Sequence, residues 1–171
     1  MIEVEAKVPL SKGEFEFLKK RLKKEAKSLG SRISQDIYYD DPRKAYIRIR
    51  KRGGDHTFDI KKRETIEGIE SNIELEWKLK DVAQWKKLLR KLKILPGVRK
   101  TKKSLLFKKN DFIIELNHVR LLGYYLEIER VVKSQKEVAK AKNQLVSLFK
   151  SLGFSEKQFE PRPYLELLSN V

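Results

Sequence analysis

Apolar residues recur along this chain at two periods, and the switches between them divide it into elements. The first period is two. Ile2, Val4, Ala6 and Val8 alternate with Glu3, Glu5 and Lys7, as in a strand with one apolar and one polar face. The same alternation runs through Tyr46-Ile47-Arg48-Ile49-Arg50, Phe58-Asp59-Ile60-Lys61 and Ile73-Glu74-Leu75-Glu76-Trp77-Lys78-Leu79. Further strands are predicted at 36–40, 98–103, 105–109, 112–119 and 124–132, about eight or nine in all. Short turns such as Gly53-Gly54 and Asn110-Asp111 join most of them. No linker or repeat divides the chain, so residues 1–171 are read as one domain.

The second period is helical, and each helix opens on a capping box. Ser11 and Glu14 open the first, which keeps Phe15, Leu18, Leu22 and Leu29 on one face and places Gly30 at the C-cap. Asp81 and Gln84 open the second, with Trp85, Leu88, Leu89 and Leu92 inward and Pro96-Gly97 as its end. Ser134 and Glu137 open the third, with Val138, Ala141, Leu145, Leu148, Phe149 and Leu152 inward and Gly153 as its stop. Each helix needs an apolar surface to lie on.

The polar face of the strands is charged almost throughout, where a solvated face mixes in Thr, Ser and Gln. Several strands carry like charges two residues apart: Glu3 with Glu5, Arg48 with Arg50, Lys100 with Lys102, Glu127 with Glu129. Each pair repels in isolation. Such pairs become tolerable when opposite signs face one another across a site, or when a metal and an anion lie between them. The expectation is therefore an α+β protein turned inside out: a closed antiparallel barrel with a charged interior and the amphipathic helices packed outside. About eight strands is the size at which a barrel holds one small ligand.

Composition narrows the ligand. Cysteine is absent and the two histidines, His56 and His118, lie far apart, so a thiolate site is excluded and a zinc site lacks ligands. A metal here is a hard cation on carboxylates, such as Mg²⁺, Mn²⁺ or Ca²⁺. Forty Lys and Arg against 24 Asp and Glu leave a net charge of +16, which calls for a polyanionic partner. The richness in Lys and Glu also fits a heat-adapted organism. No apolar run approaches the roughly 18 residues needed to cross a bilayer, and no signal peptide precedes the first strand. The expectation is a cytoplasmic protein with no membrane partner; its oligomeric state is left open, a homodimer included.

Glu3-Val4-Glu5-Ala6-Lys7 resembles the E-x-E-x-K signature of the triphosphate tunnel metalloenzymes, also called CYTH proteins. The likeness continues through Gln35-Asp36-Ile37-Tyr38-Tyr39-Asp40, Arg48-Ile49-Arg50, Lys61, Glu74-Leu75-Glu76, Lys100-Thr101-Lys102 and Leu122-Gly123-Tyr124-Tyr125-Leu126-Glu127-Ile128-Glu129. Tyr164-Leu165-Glu166-Leu167-Leu168 resembles the family's closing motif. The resemblance implies an eight-stranded tunnel in which Glu3, Glu5, Glu127 and Glu129 hold Mg²⁺ or Mn²⁺, with Glu76 and Asn117 as further candidate ligands. It implies that Arg48, Arg50, Lys61, Lys100 and Lys102 bind a triphosphate, and that Lys7 contacts phosphate or helps activate the attacking water. Two positions depart from the family. Asn117 stands where Asp is frequent, which weakens or removes a second metal, and Lys102 stands where Arg is frequent, which loses a bidentate fork.

Taken singly, these motifs have plainer readings. Glu3-x-Glu5-x-Lys7 alone is an ordinary exposed strand face, and Arg48-x-Arg50 alone a charged edge that discourages aggregation. Glu74 and Glu76 share their parity with Lys78 and Lys80, so cross-strand pairing accounts for them nearly as well. Trp77 and Trp85 read as packing residues and His56 as a turn residue. Lys19-Lys20-Arg21 and Lys23-Lys24 read as the solvated face of the first helix. The leading function is metal-dependent hydrolysis of an inorganic or small organic triphosphate. Class IV adenylate cyclase is the alternative, and a nucleic-acid-binding module is less favoured because it gives no reason for the glutamate pairs.

Overall fold

Alternation of apolar and charged side chains does produce a closed barrel. The structure, a computed structural model, describes residues 2–40, 46–66 and 68–171, with the side chains of Asp40, Tyr46 and Arg63 outside the description. Eight strands form it: β1 (Ile2–Leu10), β2 (Lys27–Asp40), β3 (Tyr46–Arg52), β4 (Asp55–Ile66), β5 (Ile69–Lys78), β6 (Leu95–Lys109), β7 (Phe112–Val119) and β8 (Gly123–Val132). They close in the order β1-β5-β4-β3-β2-β6-β7-β8, every neighbour antiparallel. The helices are α1 (Lys12–Glu25), α2 (Val82–Lys91), α3 (Val138–Ser151) and α4 (Tyr164–Ser169).

The apolar core lies outside the barrel wall. Val4, Val8, Ile114, Leu116, Leu126 and Ile128 point outward and are fully buried against Phe15, Leu18 and Leu22 of α1 and Ala141, Leu145 and Phe149 of α3. A smaller core joins Ile47, Ile49 and Phe58 to Leu89 of α2. The cover is incomplete on β5, where Ile73, Leu75 and Trp77 are exposed. Among the described residues, no helix is long and apolar enough to cross a membrane.

Element ends differ from the sequence expectation in four places. The first helix stops at Glu25 with Ala26 already extended. Leu29 and Gly30 therefore belong to β2, where Gly30 takes φ +92° at a break in register with β6, the left-handed step that a bulge requires. The second helix stops at Lys91 and leaves Leu88 and Leu92 exposed, with only Leu89 buried. The chain turns back through Lys93 at φ +59°, so Pro96-Gly97 falls inside β6 beside the second register break, where a missing donor is tolerated. The stretches 98–103 and 105–109 are one strand, because Ser104 keeps the inward parity of Lys100 and Lys102. Ser134 donates its hydroxyl to Glu137 Oε1 at 2.9 Å without capping a backbone N–H, and a 3-10 turn over Gln135–Glu137 precedes α3. The fourth helix, only six residues long, is too short for its period to show in sequence.

Candidate active site

The inward faces of the strands enclose a cavity of about 290 Å³. Lys7, Arg48, Arg50, Lys61, Lys100 and Lys102 all line it, and so do Glu3, Glu5, Glu76, Glu127 and Glu129. Alternation on each strand delivers them. Antiparallel pairing then decides which charges meet.

The basic wall is built on β2, β3 and β6. Arg50 grips Asp36 with both ends of its guanidinium, Nε at 2.8 Å and Nη2 at 2.9 Å, and Lys100 Nζ reaches the same carboxylate at 2.9 Å. Burial pushes Asp36 up, but Lys100 and Arg50 outweigh it and hold the carboxyl well below the usual range. Arg48 donates to Asp59 Oδ2 and Glu74 Oε1, each at 3.0 Å. Lys102 lies 2.6 Å from Glu115 and 3.2 Å from Glu127. Burial opposes the charge on Lys102, yet Glu127 and Glu115 raise its pKa above the ordinary value. Lys102 is thus held as a cation and offers positive charge rather than a base.

The acidic corner is built on β1 and β8. Glu5 faces Glu129 directly across the ladder, and carboxylate oxygens of Glu3, Glu5 and Glu129 lie within 4.8 Å of one another. Among the described residues one cation pairs with Glu3 and Glu5: Lys61 Nζ sits 2.7 Å from Glu3 and 3.8 Å from Glu5, and also 3.2 Å from Glu74. Burial raises Glu3, but Lys61 overcomes it and holds the carboxyl at about 2. Glu5 is pushed up to about 8, by burial first and then by the neighbouring charges of Glu3, Glu70 and Glu127 against the pull of Lys61. Glu129 is raised well above the usual range by burial and by Glu3, Glu115 and Glu5. Three clustered carboxylates, of which Glu3 is ionised while Glu5 and Glu129 are pushed toward their protonated forms by crowded negative charge, form a donor set suited to a hard divalent cation.

Other expected residues sit elsewhere. Glu127 approaches Lys102 and is opposite Lys7 on the β1–β8 ladder. Glu76 belongs to a second carboxylate group with Asp59 and Glu74, also within 4.8 Å of one another; burial and its hydrogen bond with Asp59 raise it. Asn117 is fully buried, and its Oδ1 accepts a hydrogen bond from Ser104 Oγ at 2.6 Å. Lys7 lies 3.3 Å from Glu70 Oε1, near the place where α4 brings Tyr164 to the cavity. The Tyr164 ring has Lys7 Nζ 5.5 Å and Lys100 Nζ 5.0 Å from its centroid.

Asp59, Glu70, Glu115, Arg32 and Arg52 also line the cavity, and Asp36 braces Arg50 and Lys100 behind it; the sequence assigns none of them a role. Parity marks them all the same. Asp59 is two residues from Lys61, Arg52 two from Arg50, Glu115 two from Asn117, and each faces inward with its neighbour.

Comparison with known proteins agrees with this geometry. The model of the CYTH domain family matches residues 1–164. A curated protein of Methanocaldococcus jannaschii, named "Putative adenylate cyclase MJ0240", is 26% identical over 180 residues, covering 98% of this chain and 98% of the relative. The PH1012 protein of Pyrococcus horikoshii superposes with a TM-score of 0.85 at 25% identity, over 97% of this chain and 99% of that one. The PH1819 protein of the same organism gives 0.84 at 27% identity, over 98% of each chain.

Proposed function

The chain belongs to the CYTH family, and from that premise we propose that it hydrolyses a triphosphate, inorganic or small organic, with Mg²⁺ or Mn²⁺ held at Glu3, Glu5 and Glu129. The single observation that carries this reading is the placing of a cation-poor carboxylate corner and a wall of buried Lys and Arg in one cavity of about 290 Å³. That volume is at the bottom of the roughly 300–1,000 Å³ that house drug-sized ligands, which favours a compact substrate.

A triphosphate carries about four negative charges, and that charge opposes a nucleophile at phosphorus until cations offset it. Arg48, Arg50, Lys61, Lys100 and Lys102 supply the offset where water is sparse and each contact is stronger. Their present partners are carboxylates, so substrate oxygens replace Glu74 on Arg48 and Glu115 or Glu127 on Lys102. Asp36 stays on Arg50 and fixes the plane of its guanidinium. A bound divalent cation adds positive charge beside the phosphates. Lys7, held by Glu70 and covered by Tyr164, donates to a phosphate oxygen or orients the attacking water.

Incubating the protein with Mg²⁺ or Mn²⁺ and tripolyphosphate, thiamine triphosphate or ATP tests the reading. Orthophosphate release from at least one substrate is expected, and it should vanish with chelator. The name of the M. jannaschii relative favours a second reading, cyclisation of ATP. Cyclic AMP and pyrophosphate formed without orthophosphate would replace hydrolysis by that reaction.

A further inference from the structure

The outer face of the barrel holds a second charged surface, which shares Lys100 with the tunnel lining. A groove of about 540 Å³ crosses β3, β2 and β6, flanked by Lys86 of α2 and by Arg120 and Leu121 in the turn after β7. Ile37 lines it, over the core in which Ile49 is buried. Pairing sets a polar row across the strands, with Lys51 and Arg120 as its cations: His56 is opposite Lys51, Lys51 opposite Gln35, Gln35 opposite Thr101, and the Arg120 N–H bonds to the Thr101 carbonyl at 3.0 Å. Three gaps between strands separate Lys51 from Arg120, about 14 Å. Arg99 adds a further cation one step along β6.

Among the described residues these cations have no paired counter-charge. Neither Lys51, Lys86, Arg99 nor Arg120 makes an ion pair with a described residue. Asp36 touches the groove, but its carboxylate faces the other way, onto Arg50 and Lys100. On α1, by contrast, Lys19 pairs with Glu16 at 3.2 Å and Arg21 with Glu25 at 2.7 Å. The turn that brings Arg120 to the rim carries Leu121 at φ +75°, a strained conformation for a leucine, and leaves it 69% exposed.

We propose that this groove binds the backbone of a single-stranded nucleic acid, independently of the tunnel. The row is too long for one triphosphate. With one phosphate per roughly 3.4 Å of stacked strand, the span from Lys51 to Arg120 meets about four of them. Leu121, exposed, and Ile37, half-buried, offer apolar surface on which base faces can lie, and the guanidinium planes of Arg99 and Arg120 can stack on them.

The test is fluorescence anisotropy with a labelled single-stranded oligonucleotide bearing a 5′-hydroxyl, repeated over a salt series. Each phosphate contact contributes about −0.7 to the slope of log affinity against log salt, so four contacts give about −2.8. The variant Lys51→Gln/Lys86→Gln/Arg99→Gln/Arg120→Gln should lose at least about tenfold in affinity at 0.1 M salt and most of that slope, while keeping its phosphatase rate. A control, Lys19→Gln/Lys20→Gln/Lys23→Gln/Lys24→Gln on α1, should bind as the parent does. Equal losses in both variants, equal binding of a duplex, or binding of long-chain polyphosphate with none of the oligonucleotide would each overturn the proposal. Because the oligonucleotide carries no triphosphate, these outcomes are independent of whether the tunnel hydrolyses one.

Discussion

Two carboxylate triads lie side by side in the tunnel, bridged by Lys61, and they differ in what neutralises them. Asp59, Glu74 and Glu76 have a guanidinium between them: Arg48 reaches Asp59 and Glu74 at 3.0 Å each, and Lys61 reaches Glu74 at 3.2 Å. Among the described residues, Lys61 is the one cation paired with Glu3 and Glu5, and Glu129 has none, with Asn72 donating to Glu5 at 2.7 Å. Asp59 accordingly ionises below the usual carboxylate range although buried, because Arg48 outweighs its burial. Glu5 and Glu129 are pushed above it. The same residue type therefore does two jobs. One triad anchors the cations that grip substrate, and the other lacks the positive charge that a metal supplies.

The largest effect should come from breaking the neutralised triad. Arg48→Met leaves Asp59, 1% exposed, without its counter-ion. Removing one partner of a buried pair costs about 3–5 kcal/mol, so the free energy of unfolding read from denaturant titration should fall by that amount, its midpoint with it, and triphosphate hydrolysis should be lost. Adding Asp59→Asn should recover part of the stability and none of the activity. If Arg48→Met alone unfolds at the parent's midpoint, the Arg48 pairing is not what makes this triad tolerable.

Next comes the cation-poor triad. Glu129→Gln removes a negative charge where charge is in excess, so the metal-free fold should be as stable or slightly more so. Hydrolysis should fall by more than about 100-fold, beyond what loss of an outer partner of a metal costs, and Mg²⁺ should no longer raise the unfolding temperature. Glu76→Gln, in the other triad, should cost less than about tenfold. Equal losses from the two substitutions would erase the distinction between the triads.

Much of this was legible in the sequence. Parity alone turned the charged faces of β1, β3 and β8 inward, and the family likeness supplied roles for most of the residues that now line the cavity. What the sequence could not show is pairing. Lys61 meets Glu3 across 58 positions, and Asp36 is bound by Arg50 and Lys100 from two other strands; only the barrel's register brings such residues together. Helix ends depart from the apolar period for a related reason. Leu29 keeps the helical period of Phe15, Leu18 and Leu22, yet the pull of β6 on β2 overrides it. Neighbours from distant sequence decided each case.

A smaller effect follows from pH. The folded-state pKa of Glu5, about 8, lies above its ordinary value, so the folded state binds that proton more tightly than the unfolded chain does. The stability this contributes is full at low pH and is lost as pH rises toward 8. Glu3, at about 2, acts in the opposite sense: its contribution is present above the ordinary carboxylate range and lost as pH falls toward 2. A metal must displace the proton on Glu5, and any held by Glu129 as well, so its affinity should rise by at least about tenfold per pH unit below 8. Calorimetric titration with Mg²⁺ between pH 6 and 9 reads this directly, and an affinity flat across that range would show that Glu5 is not a ligand.

The smallest effect concerns Asn117. By family likeness, Asp at this position favours a second metal. Here the side chain is sealed from the cavity wall, with Oδ1 on the Ser104 hydroxyl and Nδ2 buried without a partner. Asn117→Asp therefore puts a carboxyl of nearly the same shape in a buried place beside Ser104, where keeping its proton avoids the cost of a buried charge. A loss of less than about 2 kcal/mol is expected, with the number of Mg²⁺ bound per chain unchanged. A rise of one in that number would show that position 117 reaches the metal site after all, and that a charge missing from β7, rather than the crowding of charge on β1 and β8, limits how much cation the acidic corner holds.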